Sequence, residues 1–148
     1  RFCRDFEKNY VKFEKYPKPF IGYSDITYLH IFLNQFHQLI TYHGPMLKDL
    51  LTKNQTTTQH FLETIMGEMS FDMIDVPYYN RNLCPASGIL VGGNLTIICS
   101  TLGTPYEIDT CGKILFIEEV NEPVYAIDRL LMQLKSKERR FSSKLRVL

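Results

Sequence analysis

Hydrophobic residues in the first half of the chain change from a short continuous run to a helical spacing. Residues 19–22 are largely apolar and end on glycine, which predicts a short buried strand. Beyond them, apolar residues recur at intervals of three and four, as on one face of a helix, at Ile26, Leu29, Leu33, Phe36 and Ile40. Residues 39–42 can form a second strand, ending at His43. A strand, a glycine turn and a helix in this order open a β–α unit.

The pattern between the two halves of the chain is more polar. Residues 46–51 are predicted to be helical, a polar interruption follows at 52–58, and a second amphipathic stretch covers 61–66. Residues 71–87 are crowded with proline, asparagine and tyrosine, which is typical of a connector. We therefore expect the chain to divide into two parts near residues 75–87.

The second half again alternates strand and helix signals. Residues 88–94 are rich in glycine, where Gly92-Gly93-Asn94 indicates a close backbone approach or a turn, and 95–102 are apolar enough for a buried helix or strand. Residues 113–117 predict a strand, with Glu118 and Glu119 directly after it. A helix face then comes from Ile127, Leu130, Leu131 and Leu134. This alternation predicts an α/β fold.

The composition is that of a folded globular protein, with 45% hydrophobic and 22% charged residues. A formal net charge of +1 provides no overall field that would attract nucleic acid or an acidic membrane. No run of 18 apolar residues is present, so we expect no membrane partner. The four cysteines form no C-x-x-C pair and have no histidine at zinc-ligand spacing. They favour reduced thiols in a cytoplasmic protein without a metal site.

Ser24 stands where the first strand is predicted to turn into a helix, in the sequence Gly22-Tyr23-Ser24-Asp25. A serine on such a turn exposes its hydroxyl at the carboxyl edge of a sheet, and the first N–H groups of the helix can stabilise an oxyanion. The second glycine of the G-x-S-x-G elbow is missing, because position 26 is Ile. The residues alone leave two interpretations open: a nucleophile, or a serine that caps a helix.

A nucleophilic serine needs a base and a group that orients the base. Glu118 and Glu119 are the carboxylate candidates, and only one can face Ser24 because successive strand residues point to opposite faces. His43 lies at a predicted strand end, where packing or capping the adjacent Gly-Pro turn is its simpler role. The other histidines are His30, His37 and His60, and none follows residue 60.

Four stretches resemble blocks of the LD-carboxypeptidases and the related microcin C self-immunity peptidases. They follow the family's order at residues 17–27, 41–45, 92–106 and 112–129. The first stretch resembles the family's nucleophile motif G-[YF]-S-D, which accounts for the missing second glycine. The fourth resembles the block that holds the catalytic Glu.

The resemblance implies a two-domain α/β scaffold with a Ser-Glu-His triad. Residues 1–75 would form a Rossmann-like or amidotransferase-like region bearing the nucleophile Ser24, and 76–87 the connector. Residues 88–148 would form a smaller α/β domain bearing the catalytic Glu118, and we expect both regions to be incomplete. The backbone N–H of Asp25 would serve the oxyanion hole. The resemblance also implies substrate contacts by Asn94, Tyr125 and Arg129.

The implied activity is removal of the terminal D-alanine from murein tetrapeptides in cell-wall recycling, without a cofactor. The family tends to dimerise, which leaves a homodimer open. Its second oxyanion donor comes from a Gly-rich stretch, whereas residues 1–16 contain no glycine, and its triad His lies well downstream of the Glu. We therefore expect these 148 residues alone to be inactive. Two alternatives stay open: a microcin C-type peptidase of aminoacyl nucleotides, or a truncated, non-catalytic homologue that binds muropeptides.

Overall fold

The computed structural model describes residue 15 and residues 18–52, 55–68 and 87–138. Within the described parts of residues 18–138 it has four short strands, four α-helices and two 3-10 helices. In chain order they are β1 (Ile21–Gly22), a 3-10 helix (Ser24–Ile26), α1 (Thr27–His37), β2 (Tyr42–His43), a second 3-10 helix (Leu47–Leu51), α2 (Gln55–Met66), β3 (Leu90–Asn94), α3 (Leu95–Thr101), β4 (Ile114–Glu118) and α4 (Val124–Glu138).

The strands form two parallel pairs, each joined through a helix. β1 pairs with β2, with Gly22 opposite His43, and α1 connects them. β3 pairs with β4, with Asn94 opposite Glu118, and α3 lies on the connection. The predicted α/β class is confirmed, and in both pairs the candidate residues stand at the carboxyl ends of the strands, where α/β sheets commonly bind ligands.

Two helix boundaries differ from the sequence prediction. Helix α1 ends at His37 because Gln38 adopts a left-handed conformation and the N–H of Leu39 donates to the carbonyl of Leu33, at 3.1 Å. Ile40 therefore lies outside the helix and is 78% exposed. Residues 55–58, predicted as a polar interruption, are instead the first turn of α2. The predicted connector, 71–87, lies outside the described residues except for its last position.

Helix α1 packs against both parallel pairs. Ile31 of α1 is buried in a cluster with residues from β4, α3 and α4, made of Ile31, Leu95, Ile98, Cys99, Ile108, Leu115 and Leu134. Gln35 of α1 makes two further bonds to the second half: its Nε2 donates to the Glu107 carbonyl and its Oε1 accepts from the Asp109 N–H, both at 2.8 Å. None of the described helices is long and apolar enough to cross a membrane.

The two halves also meet at Thr27, the first residue of α1. Its side chain is fully buried, and its Oγ1 accepts a hydrogen bond from the N–H of Asn94 at 2.9 Å. Gly93 has φ of +141°, and a Cβ at this position would lie 2.5 Å from Thr27 Oγ1. Glycine is thus required here both by the backbone conformation and by the approach of α1 to β3.

Replacing Thr27 by Val keeps the shape of the side chain but removes the acceptor for the buried Asn94 N–H. We expect the free energy of unfolding to fall by about 1–3 kcal/mol, because a buried donor is left unsatisfied. Thr56 is exposed on α2 and is the matched control, so Thr56→Val should change stability by less than about 0.5 kcal/mol. Urea denaturation measures both, and a Thr27→Val chain as stable as the parent would contradict the role of this bond.

Candidate active site

Ser24 occupies a strained backbone position at the turn from β1 into helix. Its φ is +61°, in the left-handed region that residues other than glycine rarely adopt. Tyr23 before it is extended, Ile26 closes a 3-10 turn onto the Tyr23 carbonyl, and Ser24 itself is exposed. This is the geometry of a sharp strand-to-helix elbow, which costs about 1–2 kcal/mol and persists only where neighbouring contacts enforce it.

Gly22 supplies those contacts. Its carbonyl accepts hydrogen bonds from His30 Nε2 at 2.9 Å and from the Gly44 N–H at 3.1 Å. A Cβ at position 22 would lie 2.7 Å from Cγ2 of Ile26, so the turn can fold back on β1 only over a glycine. Because a carbonyl can only accept, Nε2 is the protonated nitrogen of His30. Burial lowers the pKa of His30, against the opposing effect of the Gly22 bond.

Glu118 is the last residue of β4, and its side chain faces β2. Leu115 and Ile117 point into the core, whereas Phe116 and Glu118 lie on the other face, where both contact His43. The distance from Glu118 Oε1 to His43 Nε2 is 3.9 Å, which is too long for a direct hydrogen bond. Oε1 is buried, and no group in the described part of the chain donates a hydrogen bond to it.

Glu119, the next residue, is engaged in a different network. Its carboxylate accepts from Thr96 N–H at 3.0 Å, Thr96 Oγ1 at 2.6 Å, Asn94 Nδ2 at 3.1 Å and Val120 N–H at 3.0 Å. Burial alone would raise the pKa of Glu119, but these hydrogen bonds outweigh it and hold the pKa below its ordinary value. Glu119 thus caps the first turn of α3, where unpaired N–H groups favour negative charge.

The remaining residues predicted for the site lie on three neighbouring elements. Asp25 follows Ser24 in the 3-10 turn, and its N–H is among the first of a helix, which have no partner within the helix. Asn94 ends β3 and is buried; its Oδ1 accepts from the Ile97 N–H at 3.1 Å while its Nδ2 donates to Glu119. Tyr125 and Arg129 are exposed on α4. Their contacts with a substrate stay predictions.

The elbow and Glu118 share one edge of the fold. The Ser24 turn contacts β3, whose last residue pairs with Glu118, while Gly22 pairs with His43, the histidine that faces Glu118. A cavity of about 220 Å³ lies between α1, β2 and β3, with walls that include His30, His43, Leu90 and Phe116. Neither Ser24 nor Glu118 lines it. In the described ranges no three potential ligand side chains cluster to hold a metal ion.

The two adjacent glutamates should respond oppositely to loss of charge. We expect Glu119→Gln to lower the free energy of unfolding by about 1–3 kcal/mol, because the amide cannot accept all four hydrogen bonds and loses the charge at the helix end. Glu118→Gln should leave stability unchanged or raise it, because it removes a charge whose buried oxygen has no donor within the described structure. Thermal or urea unfolding of the pair decides this, and a larger loss in Glu118→Gln would refute the assignment.

The chain matches the two domains of one peptidase family. The model of the LD-carboxypeptidase N-terminal domain matches residues 5–44, and that of the LD-carboxypeptidase C-terminal domain matches residues 87–141. A probable murein peptide carboxypeptidase of Bacillus subtilis is 48% identical over 125 residues, which are 82% of this chain and 39% of the relative.

Solved structures agree with this assignment. The muramoyltetrapeptide carboxypeptidase from Oxalobacter formigenes is 32% identical, with a TM-score of 0.61 over 80% of this chain and 41% of that protein. The microcin C7 self-immunity protein MccF shares the fold, at 22% identity and a TM-score of 0.73 over 93% of this chain and 50% of its own. The chain spans half or less of each relative's length. It carries an elbow serine and a strand-end glutamate within two matched family domains, and it belongs to the LD-carboxypeptidase family.

Proposed function

We propose that the complete product of this open reading frame is a serine-type LD-carboxypeptidase. It removes the terminal D-alanine from murein tetrapeptides during cell-wall recycling in the cytoplasm. The observation that carries the proposal is the exposed Ser24, held at φ +61° on the same edge as Glu118. Family membership and the names of the relatives support the substrate class.

The chemistry follows from the elbow. Ser24 Oγ attacks the carbonyl carbon of the L,D-peptide bond while a base removes its proton, and the carbonyl oxygen becomes an oxyanion. The N–H of Asp25, in the first turn after the nucleophile, donates to that oxygen; its position in the 3-10 turn supports this role. Collapse breaks the C–N bond, and the base returns the proton to the departing D-alanine amine. Water then hydrolyses the acyl-enzyme in the same manner.

Glu118 orients the base. The support is its place at the end of β4, where no hydrogen bond of the described chain engages its carboxylate, so that its second oxygen, Oε2, can accept an imidazole N–H from the triad base. Glu119 is unsuited to this role, since its carboxylate is engaged with Thr96, Asn94 and Val120.

The base itself comes from outside the 148 residues. By the family's pattern it is a His downstream of the catalytic Glu, and this sequence has no His after residue 60. His30 donates its Nε2–H to Gly22, and His60 is exposed on α2. The 148-residue chain is therefore inactive alone, and a substrate bound by it would not be turned over.

A second candidate function is cleavage of aminoacyl nucleotides. It is favoured by the extent of the fold shared with MccF, which has been solved with glutamyl sulfamoyl guanosine. The identity to that protein is 22%, against 48% to the murein peptide carboxypeptidase, and this difference favours the murein substrate.

The test is release of D-alanine from a murein tetrapeptide by the complete gene product. Ser24→Ala should lower the rate roughly a thousandfold or more, because the nucleophile is lost. Glu118→Gln should lower it by a similar order while the protein stays folded, and Glu119→Gln should retain activity at temperatures where it is folded. Amino-acid analysis or a coupled D-amino-acid oxidase assay measures release.

Three outcomes would contradict parts of the proposal. Full activity in Ser24→Ala would show that Ser24 is not the nucleophile. Cleavage of a glutamyl sulfamoyl nucleoside but not of the tetrapeptide would show that the substrate is an aminoacyl nucleotide rather than a murein peptide. Release by the 148-residue chain that depends on Ser24 places the base within it and makes His43 the leading candidate.

A further inference from the structure

We propose that His43 is a positioning residue for Glu118: its imidazole donates Nε2–H toward Glu118 Oε1 and holds the carboxylate in the orientation that the triad base needs. This rests on the proposed role of Glu118. His43 belongs to neither the elbow nor the triad, and it acts on the reaction only through the carboxylate.

Three contacts restrain His43, whose side chain is 27% exposed. It ends β2 in register with Gly22, so its backbone is tied to the strand that carries the elbow. Its ring packs on Phe116 with centroids 5.3 Å apart and lies 6.1 Å from the ring of His30. With the ring held between β4 and α1, Nε2 faces Glu118 Oε1 across 3.9 Å.

That gap is short enough to close. A side-chain rotation that moves either atom by about an ångström turns it into a hydrogen bond, and such contacts commonly tighten once substrate is bound. This hydrogen bond would stabilise Glu118, because its Oε1 is buried and the described residues offer it no other donor. A carboxylate with one oxygen held by His43 has a fixed orientation, so its other oxygen can accept a hydrogen bond from the triad base.

The pKa of His43 suits an imidazole that donates a hydrogen bond to Glu118 without carrying a positive charge. Burial lowers the pKa of His43, and the negative charge of Glu118 opposes this in part. Among the described residues, the titratable groups that face the ring are Glu118 from β4 and His30 from α1. The pKa of His30 is also lowered. The lowered pKa of His43 favours an uncharged imidazole at neutral pH, which places no positive charge beside the carboxylate that pairs with the triad base.

The first experiment needs no turnover. The pKa of His43 is measured by NMR from its ring protons in the 148-residue chain, with the signals assigned by their loss in His43→Gln. Glu118→Gln removes the charge that raises this pKa, so the titration midpoint should shift to lower pH. Glu119→Gln is the matched control, since Glu119 points to α3, and it should leave the midpoint in place. An unchanged midpoint in Glu118→Gln, or equal shifts in both variants, overturns the pairing.

The second experiment uses the complete gene product and separates positioning from packing. His43→Phe keeps an aromatic ring against Phe116 without the donor, and kcat should fall about 10- to 100-fold with little change in KM. His43→Gln restores an N–H at a similar reach and should recover most of the loss. A His43→Phe enzyme with full kcat, or a His43→Gln enzyme as slow as His43→Phe, overturns the proposal. If no D-alanine is released at all, the proposed function fails, and the NMR result still decides the pairing.

Discussion

The hydrogen bond from the Asn94 N–H to the buried hydroxyl of Thr27 is the contact on which the candidate site depends. Thr27 begins the helix that follows the Ser24 elbow, and Asn94 ends the strand that pairs with the one carrying Glu118. The bond exists only because Gly93 leaves room for α1. Two short parallel pairs, each of which buries little by itself, thereby present their carboxyl ends at one edge. This bond fixes the elbow next to the end of β3, while Ile31 and Gln35 hold the rest of α1 against the second half.

The two glutamates at the end of β4 show how strand alternation divides structural from chemical roles. The Glu119 carboxylate accepts four hydrogen bonds and caps the start of α3. Glu118, in contrast, has a buried oxygen to which no described residue donates a hydrogen bond. A carboxylate left in that state lowers stability and is the arrangement expected of a group that serves a reaction. Ser24 is likewise held in an unfavourable state, because the hydrogen bonds to Gly22 stabilise a turn in which its backbone is strained.

Much of this could be predicted from local sequence. The strand before Ser24, the helix after it and the strand before Glu118 follow from hydrophobic spacing, and Gly92-Gly93 indicated a close backbone approach. Local spacing could not identify Thr27 as the partner of that approach, nor Gln35 as a bridge to Glu107 and Asp109, because these partners lie about 70 positions apart. It also placed the end of α1 too late, since Gln38 gives no obvious sign of a left-handed cap. Which glutamate faces the elbow was left open by the residues and was assigned only through the family resemblance.

The most direct test of the account is a crystal structure of the complete gene product with a phosphonate analogue of the murein tetrapeptide. The account predicts a covalent bond from Ser24 Oγ to phosphorus, with a phosphonyl oxygen accepting from the Asp25 N–H. It also predicts an imidazole from beyond the 148 residues between Ser24 and Glu118, and His43 within hydrogen-bond distance of that carboxylate. An adduct on another residue, or a Glu118 turned away from the imidazole while Glu119 faces it, would contradict the account.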